Sequence, residues 1–129
     1  MSDFKKLKVW RKAHALALNV HRVATRIRGA NNASLRNQIV RAAMSIPTNI
    51  VEGAGQQSRK DLARFLSIAL NSTTEVEYHL IVARDVRAIN PNDFNSLSAQ
   101  TIEVRKMLHG LRNRVLNSPR LSRSDVPTS

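Results

Sequence analysis

The sequence predicts an all-α protein that folds as an up-down-up-down antiparallel four-helix bundle. Its apolar residues recur every three or four positions, which is the periodicity of helices and not of strands. Glycine and proline are scarce and lie mainly where this periodicity breaks, so that they divide the chain into four segments. Because the connections between these segments are short, consecutive helices are expected to be antiparallel neighbours.

The first two segments each carry one apolar stripe. Residues 7–27 form the first predicted helix, and Gly29 follows as a plausible stop. Its stripe consists of Trp10, Ala13, Leu16, Ala17, Val20, Val23, Ala24 and Ile27. Residues 34–53 form the second helix, which ends at a Gly-Ala-Gly turn. Pro47 lies inside it, and because proline lacks an N–H and crowds the preceding turn, we expect a kink or a local break there.

The last two segments show a strict seven-residue repeat. Ser58 stands three residues before Asp61, which is typical of a helix start, and apolar positions then step by four and three as far as Ala83. This third helix is predicted to reach about Ile89. The run Asn-Pro-Asn-Asp over residues 90–93 is a turn and a helix start, and the fourth helix follows it and fades near Asn117.

The predicted domain organisation is a bundle over residues 1–117 and a disordered tail over residues 118–129. The tail is rich in serine, proline and arginine and has few apolar residues. The chain has no cysteine, which excludes disulfides and thiolate metal sites. No apolar run reaches the roughly 18 to 20 residues of a membrane span, so a cytoplasmic protein without a membrane partner is expected.

Candidate catalytic groups do not converge in the sequence. His14 and His21 share one side of a helix but are two turns apart, roughly 10 Å, which is too far for one metal ion. Glu75 and Glu77 are two positions apart and therefore point in nearly opposite directions. A metal site that joins Glu52 to Glu75 would lack the Glu-x-x-His pattern of dinuclear bundles. We therefore predict a protein that is not an enzyme and has no metal or cofactor.

The basic excess is the better functional signal. The formal net charge is +12, and residues 1–28 alone hold eight basic residues and one acid. On a helical wheel five cations fall in one sector opposite the apolar stripe, with Lys5 beside them. The candidate nucleic-acid-binding residues are Lys5, Lys8, Arg11, Lys12, Arg22 and Arg26. The alternative interpretation is an ordinary solvated face, but the lack of balancing acids favours a polyanionic partner.

The few aromatic residues bear on the kind of nucleic acid that could bind. Most of them fall at positions expected to be buried, which argues against stacking on single-stranded bases. Contacts to the phosphate backbone of RNA or DNA, or recognition of its shape, are the expected mode of binding.

A second set of polar residues follows the apolar stripe of the second helix. Arg41, Ser45, Asn49 and Glu52 are spaced by four, four and three positions. They are interpreted either as a solvated face or as a hydrogen-bonded seam in which Ser72 and Glu75 of the third helix would be the partners. Such a seam would fix the register of the helices or the pairing of subunits.

These residues also carry a resemblance to a known family. Residues 4–10 read FKKLKVW, residues 41–53 read RAAMSIPTNIVEG after Gln38, and residues 65–69 and 71–77 read FLSIA and NSTTEVE. Over residues 4 to about 116 the chain resembles the bacterial four-helix-bundle proteins encoded within intervening sequences of 23S ribosomal RNA genes. This family is related to the accessory proteins of diversity-generating retroelements, which bind nucleic acid and a reverse transcriptase.

The resemblance implies an up-down bundle assembled as a homopentameric barrel without enzymatic activity. It also favours structural or assembly roles for Arg41, Ser45, Asn49, Glu52, Ser72 and Glu75. Two functions stay open: an oligomeric protein associated with RNA or DNA, and an oligomeric protein-interaction scaffold without a nucleic-acid role. Arg41→Ala is predicted to destabilise the fold or the oligomer.

Overall fold

The computed structural model describes residues 3–117, and it confirms the all-α four-helix fold. The helices are α1 (Lys8–Ala24), α2 (Ala33–Ala54), α3 (Arg59–Asp85) and α4 (Pro91–Asn117). Short 3-10 turns over Phe4–Lys6 and Ala30–Asn32 precede α1 and α2. The predicted tail over residues 118–129 lies outside the described residues.

The four helices pack consecutively, and α4 closes the bundle against α1. Contacts between positions far apart in the chain establish the antiparallel order: Ser45 meets Ser72, and Arg112 meets Ser67. The heptad positions of α3 and α4 are buried together with the stripes of α1 and α2. The large side chains that are almost completely buried include Leu16, Ile46, Ile50, Leu66, Leu80, Leu97, Leu108 and Leu111. Burial of each such side chain contributes about 1.5–3 kcal/mol.

α2 continues through Pro47, so the expected local break is absent. The missing N–H removes one hydrogen bond, but the helix is held on both sides of the proline by other contacts. Thr48 Oγ1 donates to the carbonyl of Met44, and Asn49 Nδ2 donates to that of Ser45. Pro47 itself is buried, and its packing compensates for the lost bond.

α3 begins as predicted but ends four residues earlier. The side chain of Ser58 accepts a hydrogen bond from the amide of Asp61, as the cap motif requires. At the other end Arg87 adopts a left-handed conformation with φ of 60°, and the amide of Ala88 reaches back to the carbonyl of Ala83. This hydrogen-bond pattern terminates the helix without a glycine, so no residue type in the sequence marks the end of α3.

The start of α4 agrees with the prediction for residues 90–93. Asn90 Oδ1 accepts from the amide of Asp93 at 2.8 Å, and Pro91 occupies the first helical position, where its missing N–H costs nothing. None of the helices in residues 3–117 is long and apolar enough to cross a membrane.

Candidate nucleic-acid interface

All six candidate cations are exposed to solvent in the amino-terminal region. Lys5 lies in the first 3-10 turn, and Arg26 lies in the turn that follows α1. The other four, Lys8, Arg11, Lys12 and Arg22, lie on α1. We call the surface formed by these six residues the amino-terminal basic face. It is opposite the buried stripe of α1, because the charged and apolar positions occupy different sectors of the same helix.

Two arginines of the amino-terminal basic face are held by local hydrogen bonds. Arg11 Nη1 donates to the carbonyls of Lys5 and Lys6, at 3.2 and 3.0 Å, and so ties the 3-10 turn to the start of α1. Arg22 Nη1 donates to Asn19 Oδ1 at 2.7 Å. Neither contact neutralises the guanidinium charge, since both acceptors are uncharged. These arginines therefore stay available to an anionic partner.

Two other cations of this face pair with carboxylates of α4. Lys12 Nζ lies 3.4 Å from Glu103 Oε2, and Arg26 Nη2 lies 2.9 Å from Asp93 Oδ2. Both cations are largely exposed to water, so each pair is expected to stabilise the fold by only about 1 kcal/mol or less. Between these two ion pairs, Asn19 Nδ2 donates a hydrogen bond to Gln100 Oε1 of α4. These contacts could not be predicted from the sequence, because they join residues about 70 to 90 positions apart.

The basic face therefore has an uneven balance of charge. Within residues 3–117, Lys5, Lys8, Arg11 and Arg22 form no ion pair, whereas Lys12 and Arg26 each have an acid nearby. The unpaired cations Lys5, Lys8 and Arg11 are at the start of α1. The chemistry available on this surface is electrostatic binding of a polyanion.

Half of the predicted polar seam forms a hydrogen-bonded network between α2 and α3. Ser45 Oγ lies 2.8 Å from Ser72 Oγ, and Asn49 Nδ2 donates to Ser45 Oγ at 3.0 Å. Ser72 is buried and also donates to the carbonyl of Ile68. The network satisfies polar groups at the most extensive helix contact in the bundle, and so favours one register of α2 against α3.

The charged members of the predicted seam do not join this network. Arg41, Glu52 and Glu75 are exposed, and in the part of the chain that the structure describes none of them forms an ion pair. The sequence spacing predicted that these residues share one polar stripe with the small ones. It could not separate the small residues, which face the neighbouring helix, from the long ones, which face solvent.

An apolar groove runs between α1 and α2 on the side away from α4. One part has a volume of about 470 Å³ and is lined by Trp10, Leu18, Met44, Pro47 and Val51, among others. Leu18 and Met44 are about half exposed, at 49% and 52%. An adjoining part of about 700 Å³ carries the cationic side chains Arg36 and Arg41. Exposed apolar side chains gathered in one groove are typical of a surface that binds another protein.

The aromatic residues differ from their expected burial. Tyr78 is 62% exposed, and Phe4, Trp10, Phe65 and Phe94 are only partly buried. The expectation that most aromatics are buried is therefore wrong. However, two of these rings already have neighbours. The imidazole of His14 stacks on the ring of Trp10, with 4.9 Å between centroids, and the guanidinium of Arg64 lies over the ring of Phe65. Tyr78 lies on α3, far along the chain from the basic face.

The groups considered for catalysis remain apart in the structure. His14 stacks on Trp10, and Glu77 forms an ion pair with Arg105, while Glu75 faces solvent on another side of α3. Nowhere in residues 3–117 do three His, Asp or Glu side chains gather as metal ligands would. Nδ1 of His79 is buried and has no hydrogen-bond partner within residues 3–117, and the ring lies 6.1 Å from that of Tyr78.

The fold and surface define a basic, all-α four-helix protein whose charged groups lie on its outside. The chain belongs to the family of 23S rRNA-intervening sequence proteins, whose family model matches residues 5–110. It is similar to a crystal structure of a protein of unknown function from the S23 ribosomal protein family of Bacteroides thetaiotaomicron. The two chains are 27% identical with a TM-score of 0.76, over 81% of this chain and 97% of the other. A comparison with curated proteins finds no match.

Proposed function

We propose that this protein is a non-enzymatic nucleic-acid-associated protein that binds RNA or DNA through its positively charged surface. The observation that carries the proposal is the amino-terminal basic face: six exposed cations, of which only Lys12 and Arg26 pair with acids in the described residues. Phosphate groups would replace the missing anions and release counterions. The family name, which refers to an intervening sequence of ribosomal RNA, supports a role close to nucleic acid.

The absence of enzymatic activity belongs to the same proposal. It is supported by the separation of the titratable groups described above, and no metal or cofactor is needed for a surface that binds phosphate electrostatically.

A direct binding experiment tests the proposal. The purified full chain is titrated into fluorescently labelled structured RNA and duplex DNA at about 50 and 200 mM salt. We expect binding at low salt and a loss of at least about tenfold in affinity at the higher concentration, because counterion release makes such binding steeply salt-dependent. Absence of binding to both nucleic acids at low salt would overturn the proposal.

The α1–α2 groove supports a second candidate function, that of an oligomeric protein-interaction scaffold. Exposed Leu18 and Met44 would be buried by a partner, and Arg41, Glu52 and Glu75 would find ion-pair partners there or at a neighbouring surface of α3. We propose a homo-oligomer, with the pentamer that the family resemblance implies as its expected stoichiometry. A scaffold would keep its protein partner when the amino-terminal basic face is neutralised, whereas nucleic-acid binding would be lost.

Arg41→Ala tests the assembly role. Because Arg41 is exposed and forms no ion pair in the described residues, its loss should change the stability of a single subunit by less than about 0.5 kcal/mol. If Arg41 contacts another subunit, sedimentation velocity should show smaller species than wild type at equal concentration. Unchanged melting together with unchanged sedimentation would contradict the assignment. The exposed Arg28→Ala, at the turn after α1, provides the matched control.

A further inference from the structure

The fold gathers cations from three separate stretches of sequence at one end of the bundle. When each helix is divided at its middle, residues 3–16, 44–72 and 105–117 lie together in one half. Contacts between the helices support this grouping: Arg112 Nε donates to Ser67 Oγ at 2.7 Å, and a Cβ atom at Gly53 would lie 3.1 Å from Leu62 and Phe65. We call this part of the molecule the basic half.

The two halves carry very different charges. The basic half holds twelve basic and three acidic residues, a net charge of +9. The opposite half of the described chain holds seven basic and five acidic residues, a net charge of +2. Four of the five acids in the opposite half form ion pairs, namely Glu77, Asp85, Asp93 and Glu103. The positive field of the molecule is therefore concentrated at one end and not spread along α1.

Cations on several elements of the basic half are free to meet a partner. Lys5, Lys8, Lys60 and Arg114 are exposed, and no ion pair engages them within residues 3–117. They belong to the first 3-10 turn, α1, α3 and α4, so they surround the end of the bundle. Ion pairs occur in both halves, as for Lys12 with Glu103 and Arg26 with Asp93, so the halves differ in the number of their cations and acids and not in how many cations are paired.

We propose that the basic half as a whole is the binding surface for the phosphate backbone of duplex nucleic acid, and that Arg22 and Arg26 contribute little. This inference rests on the proposed function and assigns its surface. Two helix diameters span about 20 Å, over which a duplex presents about twelve phosphate charges. The described aromatic rings of the basic half already have neighbours, since His14 stacks on Trp10, Phe4 meets Trp10 edge to face and Arg64 covers Phe65, which disfavours base stacking on single strands.

Two variants of equal net charge test this assignment. The first replaces Lys5, Lys8, Lys60 and Arg114 by glutamine in the basic half. The second replaces Arg22, Arg26, Arg28 and Arg87 by glutamine in the opposite half. Each lowers the formal charge of the full chain from +12 to +8. The probes are one labelled duplex of about 24 base pairs, prepared as RNA and as DNA, with poly-glutamate as a competing polyanion. Circular dichroism confirms that both variants are folded.

We expect the first variant to bind either duplex at least about a hundredfold more weakly than wild type at 100 mM salt. Its slope of log affinity against log salt should fall by about three, since each lost phosphate contact accounts for about 0.9. The second variant should lose less than about threefold. Equal losses would mean that only net charge matters and would overturn the assignment, as would a larger loss in the second variant.

Two further outcomes distinguish failure of the surface assignment from failure of the proposed function. If poly-glutamate displaces the duplexes at equal charge concentration, the basic half binds acidic polymers in general, and its assignment to duplex nucleic acid is wrong. If wild type binds neither duplex at low salt, the proposed function fails together with this inference. Loss of the distinction between the two variants, with wild-type binding intact, would overturn the inference alone.

Discussion

At the scale of single residues, the two glycines within helices have opposite surroundings. Gly53 lies in the last turn of α2 at its contact with α3, where an added Cβ would come within 3.1 Å of Leu62 Cδ1 and Phe65 Cβ. Gly110 lies inside α4, and its added Cβ would meet only the end of the flexible Arg114 side chain, at 3.5 Å. Gly53 therefore permits the close approach of two helices, whereas Gly110 only weakens its helix.

The same substitution at both glycines should have different effects. Gly110→Ala is expected to raise the free energy of unfolding by about 0.5–1 kcal/mol through better helix propensity. Gly53→Ala should be less stable than Gly110→Ala by about 1–3 kcal/mol, because the methyl group forces α2 and α3 apart. Urea denaturation of both variants measures the difference. Equal stabilities would show that the α2–α3 contact adapts without cost.

The small polar residues mark the limit of residue-level reasoning from sequence. The spacing of Arg41, Ser45 and Asn49 correctly indicated a polar stripe on α2, and Ser72 was correctly named as a partner on α3. Which members would form hydrogen bonds depends on a rotation of α2 by a few tens of degrees. That rotation is set by packing across the whole bundle, so the periodicity of one helix does not determine it.

At the scale of helices, starts could be predicted from the sequence better than ends. Ser58 and Asn90 cap α3 and α4 as expected, because a side-chain oxygen that accepts from an amide three residues later is a local interaction. The end of α3 depends on Arg87 in a left-handed conformation, and an arginine carries no sequence signal for that. The contacts between α1 and α4 were missed for another reason, since they depend on how the two ends of the chain meet.

The end of α3 leads to a prediction about helix termination. A side chain at φ of 60° is strained, and glycine removes that strain. Arg87→Gly should therefore raise the free energy of unfolding by about 1 kcal/mol, measured by urea denaturation. Arg84→Gly, one turn earlier in the last turn of α3, is the control and should lower stability by at least about 1 kcal/mol, through lower helix propensity and loss of the Arg84 contacts with Asp85 and Phe94. A loss of stability in both variants would contradict the strain at Arg87.

At the scale of the molecule, the fold redistributes charge in a way that segments of sequence conceal. Residues 58–89 carry a net charge of +1, but the first half of α3 contributes +2 to the basic half and its second half is acidic. α4 is divided in the same way, with four cations and no acid over residues 105–117. From the sequence, the excess of basic residues was assigned to α1, because α1 is the one of the four helices that contains basic residues and no acid. The positive charge at one end of the bundle results from the topology, which brings these separate segments together.

This concentration of like charge should make stability sensitive to salt. Raising ionic strength from about 0.01 to 0.1 M shortens the Debye length from about 30 to 10 Å and weakens repulsion among the cations of the basic half. We expect wild type to gain about 1 kcal/mol in the free energy of unfolding over this range, measured by urea denaturation in sodium chloride.

The two four-residue variants determine where that repulsion resides. Replacement of Lys5, Lys8, Lys60 and Arg114 by glutamine should remove at least half of the gain, because these cations repel one another at one end of the molecule. Replacement of Arg22, Arg26, Arg28 and Arg87 should leave the gain nearly unchanged, since acids already balance that half. Net charge is equal in the two variants, so equal salt responses would mean that the repulsion is spread over the whole surface. A larger response in the first variant than in wild type would exclude repulsion at the basic half altogether.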